Sequence, residues 1–288
     1  MVLYYLISQS VNKNNHFPIT ILNKFELLLA VTLYYGIFIL ALPVLALLYK
    51  AKQQSFFRII EILKQPIVLS AYKVTFITAF IAAIINALAG LILAWVLVRY
   101  HFYGKKILDV AIDLPFALPT SVGGLTLMTI YSDQGWMGPV CSWLGVQIVF
   151  NQLGVLVAMI FVSIPFVVRT VQPILEGMEE ELEEAALCVG ASSWTTFWEI
   201  IFPPLAPSLF TGTALGFSRA IGEYGSIILI ASNIPTKDLV ISVLISQRLE
   251  QYDYQGATII ATGTLLVSFG VLLIINTIQF WYQTTVTK

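Results

Sequence analysis

Six stretches of this chain are apolar over the length a helix needs to cross a bilayer, about 20 residues. They are Leu27–Leu48, Thr75–Val98, Leu114–Tyr131, Val149–Val168, Leu205–Ser232 and Ala257–Trp281. A helix closes its own backbone hydrogen bonds, so it is one of the few structures that lipid tolerates. The pattern therefore predicts an all-α, polytopic membrane protein with six transmembrane helices. Composition agrees: of 288 residues, 58% are hydrophobic and only 11% charged, against about 25% charged in soluble domains. Thirty-one charged side chains cannot coat a soluble globule this apolar, and disorder needs the opposite composition. A soluble enzyme and a disordered chain are both excluded. The net charge of −1 offers no basic footprint, so the expected partner is the lipid bilayer and not nucleic acid.

Lys and Arg between the spans give no orientation: with the N-terminus inside, seven fall on each face. The short loops favour N-terminus inside, with three basic residues in the second loop and none in the third, Ser132–Ile148. The first loop, with five, pulls the other way, and its segment Phe56–Leu63 reads as a short interfacial helix. Met1–Ile7 is too short to span and lacks a basic leader or cleavage site, so no signal peptide is expected. The organisation expected is an N-terminal segment, 1–26, a transmembrane domain, 27–281, and a tail, 282–288.

Nothing in the chain spells covalent chemistry. No phosphate-binding glycine loop ending in Lys-Ser/Thr occurs, and no nucleophile elbow. The histidines His16 and His101 and the cysteines Cys141 and Cys188 have no metal-ligand spacing. No catalytic residue, metal or cofactor is expected on this chain. The two cysteines fall in adjacent loops on opposite membrane faces, so free thiols are expected.

The loop 171–204 carries most information. It crowds six acidic residues, Glu176, Glu179, Glu180, Glu181, Glu183 and Glu184, at helical spacing ahead of Ala185-Ala186. Gly190 ends that helix or lets another backbone approach. Ser192-Ser193 caps a second short helix, Trp194–Ile201, and Pro203-Pro204 breaks the chain before the fifth span. The spelling Glu184-Ala-Ala-x-x-x-Gly190-x9-Ile200-x-Phe-Pro203 resembles the EAA loop of ABC-importer permeases, whose pattern has Leu where Phe202 stands. From Ala71 to Asn276 the chain looks like the permeases of sulfate/thiosulfate importers, T-type branch. The stretches that carry this are Ala71–Thr75, Asp113–Thr120, Ser163–Pro173 and Ile221–Gly225.

That resemblance implies the type I ABC-importer permease fold, with both ends cytoplasmic. It implies that Glu184, Ala185, Ala186, Gly190, Ile200 and Pro203 serve a coupling helix seated on a separate ATPase chain. The partners it implies are a second, related permease in a heterodimer, two ATP-binding subunits and an external sulfate-binding protein. ATP would be bound by the partner subunit. A molybdate/tungstate permease, usually built on identical chains, and a stand-alone secondary anion carrier are the alternatives.

Arg219 and Glu223, four apart in the fifth span, are ionisable residues at membrane depth. They read either as an ion pair that holds the helices together or as part of an anion pathway. Pro119 with Gly123-Gly124 reads either as broken backbone lining that pathway or as close helix packing. Arg169 is expected to end the fourth span and snorkel to headgroups. Leu239–Ile245 is expected to lie at the outer surface, and Trp136, Trp143, Trp194, Trp198 and Trp281 to mark membrane ends. The location expected is a bacterial plasma membrane or a chloroplast membrane.

Overall fold

Residues 28–286 are described in this computed structural model, and their regular structure is entirely helical. The segment 1–26 lies outside the described residues. The chain divides into two units, Met1–Gln53 and Gln54–Lys288. The first contains α1 (Leu28–Lys52). This helix widens into a π-wound turn at Gly36–Ala41, just ahead of Pro43. The wider turn makes room for a ring that would collide with the carbonyl four residues back.

The second unit runs through α2 (Phe56–Leu63), α3 (Pro66–Arg99), α4 (Lys105–Ile112), α5 (Leu114–Ala117), α6 (Thr120–Tyr131), α7 (Gly138–Trp143) and α8 (Gln152–Glu176). It continues with α9 (Glu180–Cys188), α10 (Ser193–Ile221), α11 (Ile227–Ile230), α12 (Ile241–Glu250) and α13 (Tyr254–Val286). Five described helices, α1, α3, α8, α10 and α13, are long and apolar enough to cross a membrane. The last runs on through most of the expected tail.

The third expected stretch is interrupted. Pro115 opens α5, Leu118 is extended (φ −86°, ψ 137°), and Pro119 precedes α6. Proline pushes the residue before it out of the helical region, so the break is written in Leu118-Pro119. The 12 residues of α6 extend about 18 Å, less than a hydrocarbon core of about 30 Å. The fifth stretch stops at Ile221, eleven residues early, and gives way to a non-helical segment, 222–226.

The core of the second unit is the trio α3, α8 and α10. Lipid is as apolar as leucine, so helices associate there by close van der Waals contact across small residues. Ala79, Ala82, Ala83, Gly90 and Ala94 are buried on α3, Gly154 and Ala158 on α8, and Gly212, Gly216 and Ala220 on α10. A Cβ added at Gly212 would stand 2.1 Å from Thr170 Oγ1 and 2.8 Å from Val167 Cα. One added at Gly90 would stand 2.7 Å from Val167 Cγ1. The three backbones are as near as glycine allows.

Polar side chains stitch this core. Asn86, fully buried, donates through Nδ2 to the Ile160 carbonyl (3.1 Å) and to Ser163 Oγ (2.8 Å), joining α3 to α8. Tyr72 donates to the Ile260 carbonyl of α13 (2.9 Å), and Gln279 of α13 donates to Thr211 Oγ1 of α10 (2.6 Å). Thr75 Oγ1 accepts from the N–H of Ile241 (2.9 Å), which pins α12 to α3. Leu239, Val240, Ile241, Val243 and Leu244 are all buried. The expected surface run Leu239–Ile245 is thus a core element, because its apolar side chains and its first free N–H both find partners inside.

Arg169 also departs from expectation. The helix continues to Glu176, and the guanidinium does not snorkel. It donates to Asp113 through Nε (2.8 Å) and Nη2 (2.7 Å), to Asp109 Oδ1 (2.6 Å), to the Asp109 carbonyl (2.7 Å) and to Gln172 Oε1 (2.6 Å). A planar fork with five donors fits this arrangement. It locks the joint between α4 and α5, where Asp113 sits, onto α8.

Substituting Gly212 by Val should lower the thermal midpoint of the detergent-solubilised protein. The overpacking cost is about 1–3 kcal/mol, and neighbouring backbone cannot yield. Gly270→Val, where an added Cβ meets nothing within 4 Å, should leave the midpoint in place.

Candidate functional site

The acidic run folds as the sequence suggests. Glu179 is extended (φ −67°, ψ 128°) and starts α9, and the glutamates that follow sit in its first turns, where the N-terminal partial positive charge favours them. The helix ends at Gly190. With φ of +88°, this residue donates to the Leu187 carbonyl (3.0 Å) while Ala191 donates to that of Ala186 (3.0 Å). This is a Schellman closure, which needs a left-handed residue. A Cβ added at Gly190 would meet nothing within 4 Å, so of its two expected roles the structure shows the helix stop. Leu182, Ala185 and Val189 share one exposed face at i, i+3 and i+7, with Val189 86% exposed, while Ala186 is buried. Glu184 is exposed beside them.

Ile200 and Pro203 lie elsewhere, in the first turns of α10. Ser192 Oγ accepts from the Thr195 N–H (3.1 Å) and caps this helix as expected. The predicted break at Pro203-Pro204 does not occur: Ser193–Ile221 is one continuous rod. The turn Phe197–Ile201 is π-wound and ends with the Phe202 N–H donating to the Phe197 carbonyl. Both prolines therefore enter as first-turn residues of the next segment, where a missing N–H costs nothing. Trp194–Ile201 is the foot of α10 and not a separate helix.

One partner of α9 is not legible in the sequence. Arg99, the last residue of α3, forms a hydrogen-bonded ion pair with Glu183, the side chains being 11% and 25% exposed. The guanidinium carbon lies 5.9 Å from the Trp95 ring centroid. Trp95, Arg99, Tyr100, Glu183, Glu184 and Leu187 line a cleft of about 340 Å³. An arginine after an apolar run reads as an ordinary membrane-end charge, and no local spacing links it to a residue 84 positions away.

Arg219 and Glu223 do meet: Nη1 lies 2.7 Å from Oε2, with Glu223 1% exposed and the Arg219 side chain 32% exposed. They do not share a helix, since α10 stops at Ile221. Glu223 instead ties down the segment that follows that end. Its Oε1 accepts from the Ser226 N–H (2.9 Å) and Oγ (2.8 Å), and its carbonyl accepts from Ser242 Oγ (2.6 Å). Arg219 in turn offers a cation to the helix C-terminus. The other break packs against this one. A Cβ on Gly124 would fall 2.5 Å from Ser226 Cα, and one on Gly225 would fall 2.2 Å from Thr120 Oγ1. Gly123 is buried against the Phe161 ring, 3.2 Å from where its Cβ would stand, and Pro119 is exposed. The Gly123-Gly124 pair thus serves close packing of α6.

Both cysteines are free, Cys141 buried and Cys188 exposed. Among the described residues no cluster of three His, Cys, Asp or Glu could hold a metal.

Replacing Glu223 by Ala strands a half-buried cation and two Ser226 donors. Removing one partner of a buried pair costs about 3–5 kcal/mol, so folded yield and thermal midpoint should both drop. Glu223→Gln keeps an acceptor for Ser226 and should lose less. An unchanged midpoint for Glu223→Ala would contradict this bridging role.

Comparison with known proteins places this architecture. Residues 86–288 match the family described as binding-protein-dependent transport system inner membrane component. The chain is 66% identical over 277 residues, 96% of each chain, to a probable sulfate transport system permease protein cysT of Zygnema circumcarinatum. It is 68% identical over 263 residues, 91% of each chain, to that of Marchantia polymorpha. It is 56% identical over 251 residues, 87% of this chain and 88% of the other, to the sulfate transport system permease protein CysT of a Synechocystis species. Among solved structures, a bacterial alginate ABC transporter in complex with its alginate-bound periplasmic protein has a chain that superposes with a TM-score of 0.71 at 20% identity. That superposition covers 88% of this chain and 92% of the other, and shows the shared fold. With a family match over more than half its length and relatives this similar along nearly all of it, the chain belongs to the inner-membrane permease components of binding-protein-dependent transport systems.

Proposed function

We propose that this chain is the membrane-spanning permease subunit of an ATP-driven sulfate/thiosulfate importer, working beside a second, related permease. Two ATP-binding subunits would supply the energy and an external binding protein would deliver the anion. The chain itself would bind no cofactor and catalyse no covalent step. The sulfate assignment follows the names of relatives 56–68% identical to it. The observation that carries the coupling role is the geometry of α9. It is a short helix closed at its C-terminal end by Gly190 and held by Ala186 and Glu183, with Leu182, Ala185 and Val189 uncovered on one face. A stretch of small and apolar side chains at helical spacing beside a carboxylate suits the groove of a soluble partner. Glu184 would supply its polar anchor, and Ala185 would let the backbones approach. Ile200 and Pro203, at the foot of α10, would set where that helix leaves the docking site.

In this reading the anion passes near Arg219, whose side chain is 32% exposed while Glu223 holds it through the ion pair. One cation held by a carboxylate attracts a dianion weakly, and passage needs contacts weak enough to release. Arg219→Ala should reduce sulfate uptake per folded transporter by about tenfold or more, an effect of roughly 1.4 kcal/mol. Normal uptake at an unchanged protein level would remove Arg219 from the pathway.

The coupling role is tested by Glu184→Lys combined with Gly190→Asp, which reverses the anchor and strains the left-handed stop. Sulfate uptake in membrane vesicles should vanish, and the ATPase should no longer co-purify with the inserted permease. An intact complex from that double variant would contradict the docking assignment.

A further inference from the structure

Resting on that coupling role, we propose that the Arg99–Glu183 ion pair transmits movement of α9 into the membrane core, which makes Arg99 a positioning residue for transport. The neighbours of α9 along the chain are the non-helical segments 177–179 and 189–192, the second of which includes the left-handed Gly190. A short helix between two turns can pivot. Pulling on it through those segments alone would be absorbed by backbone rotation. Arg99 gives α9 a rigid attachment instead. It ends a helix of 34 residues, about 50 Å long, which packs along both α8 and α10 and donates through Asn86 to α8.

The pair is built to bear load. Both side chains are largely removed from water, so it is screened less than an exposed pair, most of which contribute little. A cation suits the C-terminus of α3, and its partner glutamate belongs to the first turns of α9, so each charge complements its own helix end. Aromatic packing extends the joint to the third helix. Trp95, one turn before Arg99, meets the Phe197 ring edge-on, with centroids 6.0 Å apart and an interplanar angle of 68°. Phe197 opens the π-wound turn at the foot of α10. The pair, Trp95 and Phe197 thus bring α9, the end of α3 and the base of α10 to one place. Displacement of α9 would be felt by two of the three core helices at once.

The test uses the assembled importer in proteoliposomes, with labelled sulfate uptake and ATP hydrolysis measured on the same preparation. Arg99→Glu and Glu183→Arg should each retain the ATPase subunits yet lower uptake per ATP by about tenfold, within the range of coupling between contacting residues. The double reversal Arg99→Glu with Glu183→Arg should recover most of that loss, a rescue that a merely destabilised bundle would not show. If the reversals fail to accumulate, Arg99→Gln and Glu183→Gln are read in the same way. Wild-type uptake per ATP in Arg99→Glu would overturn the proposal, as would a double reversal no better than the singles. Loss of the ATPase from the single variants would also overturn it, by making the pair a docking element. A wild-type permease that neither holds an ATPase nor imports sulfate would instead sink the underlying coupling role.

Discussion

Lipid supplies no hydrogen bonds, and the second unit is arranged around that constraint. Polar groups that join its core helices close on one another: Asn86 Nδ2 on Ser163 and a carbonyl, Thr75 on the first free N–H of α12, Glu223 on Arg219 and Ser226. Water would make these contacts nearly neutral, since folding there trades one hydrogen bond for another. Without water the alternative is an unsatisfied group, so the same bonds fix which helix neighbours which. The small-residue contacts of α3, α8 and α10 follow from the same cause. With no hydrophobic gain between helices, attraction comes from contact distance, and glycine and alanine make that distance short.

The two helix breaks obey this constraint together. Extended Leu118 before α6 and the segment 222–226 after α10 each leave backbone groups that no helix satisfies. Segment 222–226 is covered by Glu223 and by Ser242, and the start of α6 lies directly against it, with Gly124 and Gly225 removing the side chains that would keep them apart. Irregular backbone is tolerated at membrane depth where protein buries it. Asp238 plays a similar part just beyond, accepting from Ser232 N–H (2.6 Å), Ser232 Oγ (2.7 Å) and Ile234 N–H (2.8 Å) while fully buried.

What can be read from the sequence is what is local. Apolar length locates every long helix, Ser192 announces its cap, and Gly190 its stop. Leu118-Pro119 holds the reason for the interrupted third segment, although apolar length alone counts it as a span. Proline misleads at Pro203-Pro204, because a π-wound turn is set by packing and leaves no residue signature. The long-range partners are hidden. Arg169 and Asp113 both lie in stretches similar to sulfate permeases, yet nothing about either shows that four hydrogen bonds of one reach the carboxylates and carbonyl around the other. Arg99 looks like any charge that ends a span. Leu239–Ile245 looks like a surface helix because it is too short to cross, and length says nothing about whether a segment is buried by its neighbours.

The same division explains why the site is split into a readable and an unreadable half. A docking face of the kind proposed for α9 would have to be uncovered, so its residues would need no partners within the chain and their spacing alone describes them: Leu182, Ala185 and Val189 fall on one side of α9 by periodicity. A transmission contact must be covered, and its meaning lies in the pairing. Energy released outside the membrane can move a pathway inside it only through parts that do not bend, and the stiffest parts here are the helices whose backbones touch. α9 is not one of them. It is joined to α8 and α10 by non-helical segments and to α3 by charge, so in the proposed coupling role the stiffness of the route would be set by its least local bond.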